Sequence, residues 1–224
     1  LVDTGPSHRV ANLGPVGLID VKSKPLDGWG SILKAGVDYV VGSLALVLLL
    51  PVLAIITVAI KCDSPGPILF RQRRRGRNER IFEVLKFRTM RVMEDGPVVR
   101  QATKGDPRVT RVGAFLRRTS LDELPQIINV LRGEMSLIGP RPHAIAHDDH
   151  YSELIKSYGS RHQLKPGITG LAQIKGLRGE TETVDKMAAR LEQDIAYVNN
   201  WSIWLDLKIL ALTAFKAWSS ENAY

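Results

Sequence analysis

One long apolar run and a series of short amphipathic segments divide the chain. Gly36 to Ile60 is apolar almost throughout, with VVGSLALVLLLPVLAIITVAI at its heart. About 20 such residues are enough to cross a bilayer as a helix. Pro51 lies mid-run, where it removes one backbone hydrogen bond and kinks a helix. Beyond Lys61 the pattern predicts short strands at Ile68–Phe70 and Ile81–Phe87, around a basic loop Arg71–Arg80. Val112, Phe115 and Leu116 mark one face of a short helix over Thr110–Arg118. Leu124, Ile127, Ile128 and Leu131 recur at i, i+3, i+4 and i+7, predicting a helix over 122–132 that Gly133 ends. A third helix is expected over 143–158, a Gly-rich loop over 164–181, and a fourth helix over 182–199. Trp201 to Trp218 is amphipathic, with Ile203, Trp204, Leu207, Leu210, Ala214, Phe215 and Trp218 on one face. Trp at the edge of such a helix suits a membrane interface. Residues 1–30, rich in Gly and Pro, read as irregular. The expected fold is mainly α with a few short β-strands.

Charge changes the reading of the apolar run. Lys22, Lys24 and Lys34 precede it; Lys61, Arg71, Arg73, Arg74, Arg75, Arg77 and Arg80 follow it. A simple span usually carries its cations on one side. Basic flanks at both ends suit a re-entrant hairpin that turns at Pro51 and leaves on the face it entered. An ordinary Pro-kinked span fits the same residues. Over all 224 residues the formal net charge is +8, which points to an acidic partner. The apolar share of 44% excludes a disordered chain, and the single Cys62 excludes a disulfide scaffold. The absence of an initial Met suggests a segment cut from something longer.

Candidate chemistry centres on Ser120-Leu121-Asp122-Glu123-Leu124-Pro125-Gln126. Ser120 and Glu123 have capping-box spacing. Pro125 argues instead for a start at Asp122 or Glu123, with Pro125 in the first turn where its missing N–H is not needed. Either start places two adjacent carboxylates at a helix N-terminus, which favours their ionised form. Plain N-capping explains most Asp residues at such places. The surroundings are cationic: Lys86, Arg88, Arg117, Arg118, and Arg141 between Pro140 and Pro142. Carboxylates with fixed cations describe phosphoryl transfer assisted by a divalent metal. His143, His147 and His150 with Asp148 and Asp149 imitate a metal cluster but lack a Cys and an HExxH pattern. No aromatics interleave the basic residues 71–80, which weighs against a membrane-anchored nucleic-acid binder.

Four motifs in order complete the picture: Leu85-Lys86-Phe87-Arg88-Thr89-Met90, Ser120 to Gln126, Ser136-Leu137-Ile138-Gly139-Pro140-Arg141-Pro142, and Lys165-Pro166-Gly167-Ile168-Thr169-Gly170-Leu171-Ala172-Gln173. Together they resemble the bacterial sugar transferases, the monotopic phosphoglycosyl transferases. Pro142-His143-Ala144, Arg178 to Thr181 and Asn200 to Lys208 are most similar to the undecaprenyl-phosphate glucose phosphotransferase branch. The resemblance implies transfer of a hexose 1-phosphate from a UDP-sugar to undecaprenyl phosphate, with release of UMP, in exopolysaccharide or capsule synthesis. UDP-galactose or an N-acetylated UDP-sugar is the alternative donor. It implies Asp122 as nucleophile with Glu123 beside it, and Mg2+ on one or both. Glu123 is left open between metal ligand and proton shuttle. Lys86, Arg88, Arg117, Arg141, Gln173 and Arg178 are expected to bind substrate. The implied architecture is a linker (1–32), a re-entrant membrane helix broken at Pro51 (33–61), a catalytic domain (62–200) on the cytoplasmic face of the bacterial inner membrane, and an interfacial C-terminal helix (201–224). Membrane lipids are expected partners, nucleic acid is not, and self-association is left open.

Overall fold

The computed structural model describes residues 9–13, 16–20, 26, 28–91, 106–177 and 183–219. Helices dominate, with three two-stranded sheets among the described residues. The apolar run forms α1 (Trp29–Asp63), 35 residues long and so about 52 Å if straight. It continues through Pro51, and no turn interrupts it there. A proline in mid-helix removes one hydrogen bond and bends the axis, while the flanking aliphatic residues keep the rest of the ladder.

Burial along α1 is split between its ends. Lys34, Asp38 and Gly42 are buried near the start, Ile56 and Ile60 near the end. Nothing between them is buried, and Val47, Leu48 and Ile55 are exposed. Polar groups fix the first end. Lys34 Nζ donates to Asp206 of α7 (Ile203–Ser219) at 2.7 Å. Asp206 also accepts from Tyr197 (2.7 Å) and from Trp201 Nε1 (3.1 Å). Asp38 accepts from Ser136 Oγ (2.9 Å) and the Leu137 amide (3.0 Å) of β5 (Ser136–Ile138). Packing fixes the second end: Ile56 and Ile60 meet Phe87 and Leu116.

Arg9–Leu13 (β1) and Val16–Asp20 (β2) form an antiparallel hairpin where irregular chain was expected. The apolar Val10, Leu13, Val16 and Leu18 supply strand character that neighbouring Gly and Pro obscure. Strand β3 (Leu69–Arg75) pairs with β4 (Ile81–Phe87), Leu69 opposite Phe87 and Arg75 opposite Ile81. The strand thus extends through the arginines read as loop, because pairing with β4 satisfies their backbone while Gln72 turns inward. Helix α2 (Arg111–Thr119) begins at Thr110, whose Oγ1 accepts from the Gly113 amide at 3.0 Å. Helix α3 (Gln126–Leu131) follows. Strand β5 pairs in parallel with β6 (Gly167–Thr169), and both are too short to show a period. Helix α4 (Ile145–Leu154) stops four residues before the expected end, and α5 (Leu171–Ile174) lies within the stretch read as loop. Helix α6 (Val184–Asn199) matches its expected face, with Met187, Leu191 and Val198 buried. The largest apolar cluster joins Val84, Val130, Met135, Ile138, Tyr197 and Ile209.

The Lys34–Asp206 pair is nearly water-free, so breaking one side leaves an uncompensated charge. Asp206→Ala should therefore destabilise the detergent-solubilised protein by about 3–5 kcal/mol. The Lys34→Met/Asp206→Leu double variant should recover part of that loss in thermal unfolding. A single variant no worse than the double would contradict this account.

Candidate active site

Asp122 and Glu123 lie in a single 3-10 turn, Leu121–Glu123, between α2 and α3. Ser120 enters it in the left-handed conformation (φ 59°), its amide closing α2 on the carbonyls of Leu116 and Arg117. The expected capping box is not formed: Ser120 makes no side-chain cap. Glu123 is used elsewhere. Lys86 Nζ donates to Glu123 Oε1 at 2.8 Å, Arg141 Nη1 donates to Oε2 at 2.9 Å, and Arg141 Nη2 donates to Oε1. Pro125 opens α3, where its missing N–H costs nothing.

Each partner of Glu123 is itself fixed. Asn129, fully buried in α3, fills the open edge of β4: its Oδ1 accepts from the Leu85 amide (2.9 Å) and its Nδ2 donates to the Glu83 carbonyl (2.7 Å). Lys86 is the next residue along. Arg141 follows β5 in a turn that closely approaches β6, where the Gly139 amide donates to Thr169 (2.9 Å) and the Gly167 amide to Pro140 (2.9 Å). A Cβ on Gly139 would run into the Lys165 carbonyl. The carbonyls of this turn are gripped by buried or half-buried arginines. Arg161 Nη2 donates to Arg141 O at 2.5 Å, and Arg74 Nη1 donates to Pro142 O.

Electrostatics separate the two carboxylates. Burial works to raise the pKa of Glu123, but Arg141 and then Lys86 outweigh it and hold the group well below the usual range. Burial pulls Lys86 below the ordinary lysine value, against the pull of Glu123. Asp122 goes the other way. Burial raises it, Glu123 adds to the rise, and Lys86, Arg141 and Arg117 oppose it. Among the described residues no side chain donates a hydrogen bond to Asp122. The turn therefore holds one carboxylate that is clamped and ionised beside one that is unclamped.

Comparison with known proteins shows the family of the chain. The sequence profile described as bacterial sugar transferase matches residues 29–220. The chain belongs to the bacterial sugar transferase family. A relative from Escherichia coli (strain K12), named UDP-glucose:undecaprenyl-phosphate glucose-1-phosphate transferase, is 52% identical over 216 residues, 96% of this chain and 47% of that protein. One of the same name from Caulobacter vibrioides is 51% identical over 223 residues, covering 100% of this chain and 81% of that protein. The UDP-N-acetylgalactosamine-undecaprenyl-phosphate N-acetylgalactosaminephosphotransferase of Aeromonas hydrophila is 40% identical over 183 residues, 82% of this chain and 43% of that protein. The chain thus spans about half the length of several of the relatives it matches.

Within this family member the expected substrate cations separate. Lys86 and Arg141 meet at Glu123. Arg117 acts on Asp122 while its Nε donates to Thr89 Oγ1 at 2.9 Å. Arg88 is buried elsewhere, donating to the carbonyls of Ser64 (2.6 Å) and Pro65 (2.5 Å) just beyond the end of α1. Its Nη2 also donates to Ser64 Oγ at 2.9 Å, so Arg88 braces the turn after α1. Gln173 folds onto the Ile168 carbonyl (3.1 Å), leaving its Oε1 buried and unpartnered. Arg178 lies outside the described residues.

The site fits a magnesium ion on one of its two carboxylates better than on both. Mg2+ takes one or two carboxylates with substrate phosphate oxygens. Asp122 has accepting capacity to spare, whereas three donor contacts already occupy Glu123, leaving about one of its lone-pair sites. His143 precedes α4 and so shares no helix face with His147. No group of three metal-ligating side chains is found among the described residues.

What the sequence reading missed is the network behind Arg141. Arg161 Nη1 contacts Tyr158 Oη (2.9 Å) and His143 Nδ1 (2.5 Å), and its Nη2 pairs with Asp194 at 3.0 Å. Tyr158 donates to Asp148 at 2.7 Å. His143 and Asp148 were visible as candidates, but their service was to this network rather than to a metal.

The neighbouring His162 gives a pH signature. Burial, then Arg161 and Arg75, lower its pKa from 6.5 to about 4. Below pH 6.5 the unfolded chain binds a proton there that the folded chain refuses until about pH 4. Stability therefore falls as pH falls through this window, by up to about 3 kcal/mol from this group. Urea unfolding of His162→Gln should show a correspondingly shallower loss between those pH values than wild type. An equal or steeper loss would contradict the assignment.

Proposed function

We propose that the chain transfers glucose 1-phosphate from UDP-glucose to undecaprenyl phosphate, releasing UMP, in exopolysaccharide or capsule synthesis. The names of the Escherichia coli and Caulobacter vibrioides relatives support the substrates. The relative from Aeromonas hydrophila keeps an N-acetylated donor as the alternative. The observation that carries the reaction type is the inequality of Asp122 and Glu123.

In the first step an Asp122 carboxylate oxygen attacks the sugar-linked phosphorus. The bond to the bridging oxygen of the diphosphate breaks, and UMP leaves with that electron pair. In the second step a phosphate oxygen of the lipid attacks the same phosphorus. The acyl phosphate breaks, returning Asp122 as a carboxylate and yielding the lipid diphosphate sugar. Glu123 holds no proton to give near neutral pH, since its cations keep it ionised. Its role is to fix Lys86 and Arg141 where the charge of the diphosphate develops. Asp122 and the diphosphate oxygens would hold Mg2+, which when bound offsets phosphate charge. Splitting the reaction lets one site serve a soluble donor and a lipid acceptor in turn.

The membrane setting rests on α1 and α7. Among the described residues α1 is the one helix long and apolar enough to cross a membrane. Its burial at both ends against the catalytic domain, with an exposed apolar middle around Pro51, supports a re-entrant course bent at that proline. Helix α7 turns Asp206 inward and leaves Trp204 and Phe215 exposed (77% and 71%), which supports an interfacial face. Basic residues at both ends of α1 favour the cytoplasmic side of the bacterial inner membrane.

Acceptor-free incubation tests the reading. Wild type given UDP-glucose labelled in the sugar should retain label after denaturation and release a matching amount of UMP. Asp122→Asn should do neither, while Glu123→Gln should fall by at least about 100-fold through displaced cations. Retained label in Asp122→Asn would place the nucleophile elsewhere, and a larger UMP yield from another UDP-sugar would reassign the donor.

A further inference from the structure

Among the described residues, strand β5 has a partner strand on one side only. Ser136 and Ile138 register with Gly167 and Thr169 of β6, so the amide of Leu137, between them, faces away from β6. All three residues of β5 are buried, and an unpaired amide there is costly. Asp38 of α1 fills the gap. Its Oδ1 accepts from the Leu137 amide at 3.0 Å and from Ser136 Oγ at 2.9 Å. Ser136 Oγ in turn accepts from the Ile138 amide at 3.3 Å. One carboxylate oxygen on α1 thus reaches every residue of the strand, as Asn129 serves the open edge of β4.

A second route to β5 starts one turn earlier on the same face of α1. Lys34 lies four residues before Asp38 and pairs with Asp206 at 2.7 Å. The Tyr197 hydroxyl donates to Asp206 at 2.7 Å and is shared with the Ile138 carbonyl at 3.2 Å. The first turns of α1 therefore touch β5 twice, through Asp38 directly and through Lys34, Asp206 and Tyr197. The Lys34 pair already ties α1 to α7, so holding the helix does not require a second buried acid.

What β5 leads into gives Asp38 a use. Gly139 and Pro140 connect the strand to Arg141, whose guanidinium grips Glu123. Pro140 fixes its own φ and restricts Gly139, and Pro142 restricts Arg141. This segment has little slack with which to absorb a shift of the strand. Arg161 holds the Arg141 carbonyl at 2.5 Å, which fixes the far end of the turn but not the strand that feeds it.

We propose that Asp38 is a positioning residue for the transfer reaction: it fixes β5 and thereby the place at which Arg141 meets Glu123 and the donor diphosphate. The proposal rests on the transferase reading above. Helix α1 is then part of the catalytic machinery as well as an apolar anchor. Drawing its first turns away from β5 leaves Asp122 in place with a cation misplaced.

A double-variant cycle on the full chain in lipid nanodiscs tests this, read as the single-turnover rate of acceptor-free UMP release. Asp38→Leu removes both accepted bonds and should slow that step about tenfold, with the apparent KM for UDP-glucose changed far less. Asp38→Asn keeps an oxygen that can accept both bonds and should recover the rate to within about threefold of wild type. In an Arg141→Lys background, which lacks the fork that grips Glu123, Asp38→Leu should cost less than about twofold. A tenfold cost in both backgrounds, or none in the wild-type background, would overturn the proposal. If Asp38→Leu does not fold, Ser136→Ala removes one of the two donors and enters the same cycle, with a smaller fall that should also vanish beside Arg141→Lys.

Hydrogen exchange of the substrate-free protein reads the strand without any chemistry. The same Leu variant, or Ser136→Ala in its place, should speed exchange over residues 137–141 and leave 126–131 as in wild type. Unchanged exchange over 137–141, or acceleration spread through the whole domain, would overturn the proposal. Failure of wild type to release UMP from UDP-glucose would sink the transferase reading instead, and the exchange would still decide whether Asp38 fixes β5.

Discussion

The carboxylate of Glu123 holds the site together. Lys86 comes from a strand, Glu123 from a 3-10 turn and Arg141 from the turn after β5, and the three meet through charge-assisted hydrogen bonds. Such bonds are roughly twice as strong as neutral ones. None of the three charges is readily solvated, so each depends on the other two. The consequence reaches the neighbour. With the cations drawn to Glu123, Asp122 feels their field without being bonded to them. It is buried one residue away, and no described side chain donates a hydrogen bond to it, which is why the proposed reaction assigns it the attack.

The rest of the domain keeps that arrangement rigid. Asn129 takes the place of a missing strand against β4, and glycines let β5 and β6 approach closely enough to set the Arg141 turn. Arg161 then ties that turn to Tyr158, His143 and Asp194. The helices proposed to meet the membrane invert the usual rule. On α1 and α7 the charged Lys34, Asp38 and Asp206 point inward and are paired, while large apolar residues point out. In a bilayer such pairing is what makes inward charges tolerable.

Much of this was legible in sequence because it depends on periodicity or on residue type. The apolar run, the inward Met187, Leu191 and Val198 of α6, and the Asp122–Glu123 pair among cations could be read directly; Phe115, expected inward on α2, is instead 49% exposed, and α3 buries Gln126, Asn129 and Val130 beside Ile127. The capping box could not survive, since Glu123 has stronger partners in space than the Ser120 amide. Arg88 was read as a phosphate ligand from its place in a cationic motif, yet one residue beyond β4 its side chain turns to the carbonyls after α1. Strands β5 and β6 carry no pattern over three residues. Their signal was the run of glycines, whose meaning as a close approach emerges only when the two segments are paired. The Arg161 network unites residues up to 51 positions apart, His143 to Asp194, and no local spacing announces it.

The account turns on Asp122, and not Glu123, carrying the phosphosugar. Borohydride reduces an acyl phosphate to the alcohol, so it marks whichever carboxyl was esterified. Protein incubated with UDP-glucose without acceptor, reduced with borohydride and sequenced by tandem mass spectrometry, should contain homoserine at position 122 and an unmodified Glu123. Reduction at Glu123, or at any carboxylate other than Asp122, would contradict the division of labour between the clamped and the unclamped carboxylate.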